Sequence, residues 1–143
     1  MNCVKFHYAD VSPISLPNKR EVQHFVEQIF FRESKKLQLL NYVFCSDPYI
    51  LELNRQFLQH DYYTDIITFD LSETLSTIGE LYIGVETVKT NAALHGVHFH
   101  NELLRVIFHG ALHLCGYRDK TKSEITKMKE KEEFYLSNYL QIK

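Results

Sequence analysis

The sequence predicts an α+β fold in which a small mixed β-sheet packs with helices. Short segments of alternating or β-branched residues predict strands, and apolar residues spaced three and four apart predict helices. The two kinds of segment are mixed along the chain and do not alternate strictly, as they would in a doubly wound sheet. The 143 residues, 45% hydrophobic and 24% charged, suit one globular domain spanning residues 1–143.

Four segments are predicted to be strands. Residues 3–8, CVKFHY, alternate apolar and polar side chains, and residues 38–45 form a second apolar strand. A polar loop, HDYYT (60–64), leads into the β-branched segment DIITF (65–69). The segment GELYIGV (79–85) has hairpin-like spacing from DIITF, which predicts antiparallel pairing of these two strands.

Five helices are predicted. The first carries one apolar stripe, formed by Val22, Phe25, Val26, Ile29 and Phe30. Ser46, followed by Asp47 and Pro48, marks the start of a second helix that runs through YILELNRQFLQ. A third helix covers residues 86–95, and a fourth, NELLRVIFHGALHLCG, ends at Gly116. The last helix carries apolar residues on one side, namely Ile125, Met128, Tyr135, Leu136, Tyr139 and Leu140.

Charge and cysteine content exclude several classes of protein. A net charge of −2 argues against broad, sequence-blind nucleic-acid binding, although a local basic patch remains compatible with it. Three widely spaced cysteines without a C-x-x-C pair do not form a disulfide framework and fit a reducing compartment. The sequence has no signal-like start and no apolar run of membrane-spanning length. We therefore predict a cytoplasmic protein without a membrane partner.

The stretch HGALHLCGYRDK (109–120) contains a candidate metal site. His109 and His113 are four residues apart on a predicted helix, so both side chains project from one face and can bind one ion. The alternative is a pair of core histidines bonded to the backbone. Gly116 can reverse the chain and bring Asp119 toward the open side of the pair. Three protein ligands and a water form the usual catalytic zinc arrangement.

Arg105 lies one helical turn before His109. A cation at that position could bind a phosphate group close to the metal. The alternative role for Arg105 is a helix pair with Glu102, three residues earlier, and the two roles are compatible.

Several motifs resemble one known family. HGALHLCGY closely resembles the H-G-x-L-H-L-x-G-Y motif of the YbeY-type metal-dependent endoribonucleases, which are rRNA maturation factors. YTDIITF (63–69) and IGELYI (78–83) resemble two further motifs of that family, and Met128 and Glu132 fit its downstream M-x-x-x-E. The resemblance covers roughly residues 53–132.

This resemblance implies a single-domain α+β fold with a zincin-like metal-binding helix. It also implies one divalent metal, usually zinc, held by His109, His113 and the residue at position 119. The implied activity is cleavage of single-stranded RNA, with roles in maturing the 3′ end of small-subunit rRNA and in ribosome quality control. RNA and the ribosome or its proteins are the implied partners.

The chain departs from the family pattern at two positions. The third histidine ligand of the family falls on Asp119, whose carboxylate is also an acceptable zinc ligand. It is a harder ligand than imidazole, so the site is expected to tolerate other divalent ions. An arginine of the family falls on Leu58, and Arg55, three residues earlier on nearly the same helical face, is a candidate replacement.

The leading hypothesis is hydrolysis of RNA phosphodiester bonds by a metal-bound water, with Arg55 or Arg105 stabilising the phosphate charge. No residue is assigned as the general base. One alternative is a non-enzymatic ribosome-assembly factor with a structural or absent metal, because Asp119 and Leu58 both depart from the family pattern. A third hypothesis is a metallopeptidase, suggested by H-x-x-x-H. Gly110 argues against it, because H-E-x-x-H peptidases have a catalytic glutamate there.

Overall fold

The computed structural model describes residues 3–14, 16, 18–58 and 64–141, and its centre is a four-stranded mixed sheet. The strands are β1 (Val4–Tyr8), β2 (Lys36–Cys45), β3 (Ile66–Asp70) and β4 (Ser76–Gly84), in the spatial order β1-β2-β4-β3. β1, β2 and β4 run parallel, and β3 pairs antiparallel with β4. The predicted α+β class is confirmed, as is the antiparallel pairing of the DIITF and GELYIGV segments.

The described residues also form five α-helices. They are α1 (Lys19–Arg32), α2 (Asp47–Leu53), α3 (Val85–His95), α4 (Phe99–Leu114) and α5 (Lys122–Gln141). α2 begins as predicted, because the Ser46 side chain accepts a hydrogen bond of 3.3 Å from the Tyr49 N–H. It continues into a π-helical segment, Asn54–Leu58. Most of the predicted HDYYT loop, residues 60–63, lies outside the described residues.

α4 packs directly on the sheet through Gly110. A Cβ atom at this position would lie 2.8 Å from Ile66 Cδ1 and closer still to Leu81 Cδ2, so any side chain there would require these two side chains to shift. Glycine inside a helix costs about 1 kcal/mol relative to alanine, and the close approach of helix and sheet offsets this cost. The packing explains why glycine stands where a zinc peptidase would have its catalytic glutamate.

Aromatic residues fix α4 from both sides. The fully buried Tyr42 of β2 donates a hydrogen bond of 2.8 Å from its hydroxyl to the Ile107 carbonyl. On the other side, Phe108 contacts Phe25 of α1 and Tyr139 of α5, with ring centroids 5.1 and 5.9 Å apart. These contacts bury most of α4 and leave His109 and His113 on its more open face.

The apolar stripe predicted for α5 is only partly buried. Met128, Tyr135 and Tyr139 are buried, whereas Ile125 and Leu140 are 38% and 41% exposed. Between these positions α5 also buries the charged Glu132, so its apolar residues do not form one continuous buried stripe. Among the described helices, none combines the length and apolar character of a membrane span.

Candidate metal centre

The two histidines lie side by side on α4, as their spacing predicts. Their ring centroids are 6.1 Å apart and their planes differ by 18°. The His109 side chain is 19% exposed, and His113 is exposed. In both rings the Nδ1 atom makes a hydrogen bond within the protein, which leaves Nε2 as the remaining nitrogen. Neither histidine is a fully buried core residue.

Glu132 of α5 holds the first histidine. Its buried carboxylate makes a very short hydrogen bond with Nδ1 of His109, and Nε2 of the same ring lies 3.5 Å from Oδ2 of Asp119. A carboxylate that accepts from Nδ1–H fixes the tautomer in which Nε2 has a free lone pair. Burial by itself lowers the pKa of His109, but the hydrogen bond and charge of Glu132, followed by Asp119 and Asp65, outweigh it and raise the pKa.

The turn after α4 holds the second histidine. Gly116 has a φ of 110°, its N–H donates to the His113 carbonyl at 3.1 Å, and the Tyr117 N–H donates to the Leu112 carbonyl at 3.1 Å. This is a Schellman motif, the chain reversal that the glycine predicts. The Tyr117 carbonyl then accepts a hydrogen bond of 2.8 Å from His113 Nδ1. The reversal also brings Asp119 back to His109.

The donor set suits a divalent ion in its chemistry. Two imidazole Nε2 atoms and the carboxylate of Asp119, whose side chain is 43% exposed and can reorient, are acceptable ligands for zinc. As the side chains stand, no group of three or more His, Cys, Asp or Glu residues in the described ranges is already arranged to hold an ion. Binding would therefore require the donors to converge further. The ligand set of His109, His113 and Asp119 remains a prediction.

Arg105 lies among carboxylates. It bonds to Glu102, with one Nε–Oε1 distance of 3.1 Å, and its Nη1 lies 2.9 Å from Oε1 of Glu132. A further nitrogen lies 3.9 Å from Oδ2 of Asp65. The Glu102 pair considered in the sequence is thus present, and the guanidinium also orients Glu132. This arrangement favours a positioning role for Arg105 over the predicted phosphate binding.

Burial by itself raises the pKa of Glu132, but the hydrogen bonds and charges of His109 and Arg105 outweigh it and lower the pKa. Glu132 is therefore ionised at neutral pH and can act as an acceptor toward His109. Sequence reasoning placed Glu132 in a family motif without giving it a role. The motif match was the available signal, and the contact itself joins residues 23 positions apart on different helices.

Arg55 lies in the π-helical segment after α2. Its guanidinium is 3.9 Å from Oε2 of Glu52, and the two side chains are 52% and 57% exposed. Leu58, which stands in place of the family arginine, is 41% exposed. The structure thus places Arg55 at the surface, and its role in phosphate binding remains a prediction.

An open cleft of about 540 Å³ is lined by His113 and Asp119. Its polar lining residues are Thr68, Asp70, His113, Tyr117, Arg118, Asp119 and Lys120. Arg118 and Lys120 flank the predicted ligand Asp119 in sequence and bring positive charge to the cleft. Sequence reasoning did not select these two residues, although they belong to the same HGALHLCGYRDK stretch.

The chain is similar to known proteins along most of its length. The sequence model of the Endoribonuclease YbeY family matches residues 10–140. The chain belongs to this family. The Endoribonuclease YbeY of Cytophaga hutchinsonii is 44% identical over 133 residues, covering 92% of this chain and 93% of the relative. The Endoribonuclease YbeY of Bacteroides thetaiotaomicron is 48% identical over 114 residues, covering 80% and 83%. The predicted family resemblance is confirmed.

A solved structure supports the same YbeY-family fold. The solution structure of TM1509 from Thermotoga maritima is similar to this chain with a TM-score of 0.68 and 29% sequence identity. The match covers 95% of this chain and 88% of that protein. The overall fold of this chain is therefore similar to that of an experimentally determined structure.

Replacing Glu132 with Gln tests the contact with His109. The change removes the negative charge at Nδ1, so the pKa of His109 in the metal-free protein should fall. NMR titration of the His109 ring measures this pKa. Glu133→Gln is the matched control, because Glu133 is the adjacent, exposed residue and should leave the pKa unchanged. An unaltered His109 pKa in the Glu132→Gln protein would contradict the assignment.

The same pair predicts how stability of the metal-free protein depends on pH. His109, with its raised pKa, contributes stability that is fully present below 6.5 and is lost as the pH rises through its folded pKa. Glu132, with its lowered pKa, contributes stability above 4.5 that is lost as the pH falls through its folded pKa. The contribution of the pair to the free energy of unfolding should thus be largest between pH 4.5 and 6.5. Urea unfolding of the Glu132→Gln and Glu133→Gln proteins across this pH range measures it.

Proposed function

We propose that this chain is a metal-dependent endoribonuclease that cleaves single-stranded RNA. Family membership confirms the predicted class of nuclease and hydrolase. The observation that supports a metal mechanism is the engagement of Nδ1 in both histidines of α4, which leaves two Nε2 atoms for a ligand beside Asp119. The finer role that we propose is maturation of the 3′ end of small-subunit rRNA and quality control of ribosomes, with the ribosome as partner.

His109, His113 and Asp119 would hold the ion, and zinc fits their nitrogen and oxygen donors best. When bound, a divalent ion lowers the pKa of water and polarises a phosphoryl oxygen. Glu132 keeps His109 in the tautomer that a ligand needs, and Arg105 keeps Glu132 ionised and oriented. Because Asp119 adds a negative charge and a harder donor than imidazole, manganese or another divalent ion is an acceptable replacement for zinc.

The packing of Gly110 supports a nuclease over a peptidase. The zinc peptidase pattern requires a glutamate immediately after the first histidine, where it serves as the general base. In this fold Gly110 occupies that position and packs against Ile66 and Leu81 of the sheet, which would have to shift to admit a side chain. The peptidase alternative therefore has no base at the required place.

The basic residues of the cleft suggest how RNA is bound. Arg118 and Lys120 lie on either side of Asp119 and line the cleft beside His113. Their positive charge offsets the negative charge of Asp119 and Asp70 and suits a phosphate backbone. With a net charge of −2 for the whole chain, RNA binding is expected to depend on this local patch. Arg55 remains a second candidate for phosphate binding.

The proposal also covers the cellular location and the domain organisation of the protein. All three cysteines, Cys3, Cys45 and Cys115, are free thiols, which supports a reducing cytoplasmic location. We also propose that residues 1–143 act as one domain, because helices from both ends of the chain, α1 and α5, pack with α4 around a shared core.

Replacement of His113 with Ala should abolish RNA cleavage together with metal binding. Loss of a direct ligand should lower the rate by about 100-fold or more, since changes one step further from a metal already cost 10- to 100-fold. A single-stranded RNA cleavage assay and mass-spectrometric metal analysis measure the two effects. His24→Ala is the control, because the His24 side chain is 72% exposed on α1. Unchanged cleavage by a metal-free His113→Ala protein would contradict the mechanism.

The same measurements distinguish the endoribonuclease from the second hypothesis, a non-enzymatic ribosome-assembly factor. If the unaltered protein binds no divalent ion and added metal restores no cleavage, a non-enzymatic role in ribosome assembly would account for the chain better. The departures at Asp119 and Leu58 are the observations that would then explain the loss of activity.

Replacement of Arg118 or Lys120 with Ala should weaken RNA binding in a salt-dependent way. Each lost phosphate contact should reduce the slope of log affinity against log salt concentration by about 0.7 for a single strand. Fluorescence anisotropy with a labelled single-stranded RNA, in the absence of cleavage, measures the slope. Lys5→Ala makes the same charge change on β1, at the opposite edge of the sheet from β3, and should have no effect. Equal slopes for all the proteins would exclude this patch.

A further inference from the structure

A partly buried carboxylate just after α1 accepts hydrogen bonds from two other parts of the fold. Glu33, with a side chain 13% exposed, accepts from the Tyr117 hydroxyl at 2.8 Å and from Lys131 Nζ at 3.4 Å. It also accepts a very short hydrogen bond from the Tyr135 hydroxyl. Burial by itself raises the pKa of Glu33, but the two tyrosines and Lys131 outweigh it and lower the pKa. The carboxylate is therefore an ionised, strong acceptor.

Tyr117 connects this carboxylate to the candidate metal centre. Its hydroxyl bonds to Glu33, which lies 84 residues earlier, and its backbone carbonyl accepts from His113 Nδ1 at 2.8 Å. Tyr117 thus contacts α1 through its side chain and α4 through its backbone. The order of contacts is Glu33, Tyr117, His113.

The turn alone does not fix this carbonyl. The two hydrogen bonds of the Schellman motif engage the N–H groups of Gly116 and Tyr117. The Tyr117 carbonyl belongs to the next peptide group, whose orientation depends on the backbone torsion after the Cα atom of Tyr117. Residues 118–120 that follow are exposed. From the protein side, Tyr117 is restrained by the hydrogen bond of its hydroxyl to Glu33, by Lys131 Nζ at 5.6 Å from its ring centre, and by packing against the core. The hydroxyl contact is the polar one of these and fixes the direction of the side chain.

We propose that Glu33 is a positioning residue for His113. By holding the side chain of Tyr117, Glu33 keeps the Tyr117 carbonyl in place. This carbonyl accepts the hydrogen bond from His113 Nδ1–H, which leaves Nε2 of His113 available to an ion. The two histidines are then oriented in parallel ways: Glu132 holds His109 directly, and Glu33 holds His113 through Tyr117. The inference rests on the proposed function in treating His113 as a metal ligand. It also concerns Asp119, which lies two residues beyond Tyr117 in the same turn.

A pair of tyrosine variants tests this proposal. Tyr117→Phe removes the hydroxyl that anchors the turn and keeps the ring. Tyr135→Phe removes a hydroxyl that bonds to the same Glu33 carboxylate, but Tyr135 lies on α5 and carries no carbonyl near His113. Both changes remove one hydroxyl that bonds to Glu33, and of the two residues Tyr117 belongs to the turn, whereas Tyr135 is a more deeply buried residue of α5.

Two readouts apply to each variant. The ¹⁵N shifts of the His113 ring in metal-free protein report whether Nδ1 or Nε2 carries the proton, and calorimetry with zinc alone reports metal affinity. In Tyr117→Phe we expect a mixture of tautomers and a loss of zinc affinity of about 10-fold, the lower end for changes behind a metal ligand. In Tyr135→Phe we expect both readouts to match the unaltered protein.

Glu33→Gln is the second variant and makes the test independent of whether Tyr117→Phe folds. It leaves a neutral, weaker acceptor for Tyr117, so the same two readouts should change in the same direction. An unchanged His113 tautomer in both Tyr117→Phe and Glu33→Gln overturns the proposal, as do equal effects of the two tyrosine variants. If the unaltered protein binds no zinc, the metal proposal fails, and the tautomer readout still decides the role of Glu33.

Discussion

The contact between Glu132 and His109 is the interaction on which the site depends most. It joins α5 to α4 through a buried carboxylate and an imidazole, and it leaves Nε2 of His109 directed to Asp119. A buried carboxylate is costly unless it is paired, and Arg105 and His109 supply that pairing from the same helix. The packing of α5 and the orientation of the first candidate ligand are therefore one structural feature.

Around this contact the fold restrains the site from three directions. The sheet meets α4 at Gly110, α5 supplies Glu132, and α1 supplies Glu33, which holds the turn through Tyr117. The remaining side is the cleft, where exposed residues carry the positive charge that RNA requires. Rigid support on the protein side and an open face on the other suit the RNA cleavage that we propose for this site.

The sequence predicted the parts of the site that depend on local periodicity. The helical spacing of His109 and His113 and the reversal at Gly116 needed only the geometry of one helix and its end. The role of Glu132 could not be read this way, because it depends on how α5 packs on α4. Arg105 shows the same limit: its pairing with Glu102 is local, but its pairing with Glu132 and proximity to Asp65 come from the tertiary structure. The strands and helices followed their patterns, and on α5 the buried charge of Glu132 interrupts the buried apolar residues.

The central claim is that His109, His113 and Asp119 bind one divalent ion, and anomalous scattering from crystals grown with zinc tests it most directly. The account predicts a single strong peak at the zinc absorption edge, about 2.0–2.2 Å from Nε2 of both histidines and from one oxygen of Asp119. A peak at other residues would contradict the claim. The absence of any peak would also contradict it, provided that His113 Nε2 is open to solvent in the crystal and not blocked by a neighbouring molecule.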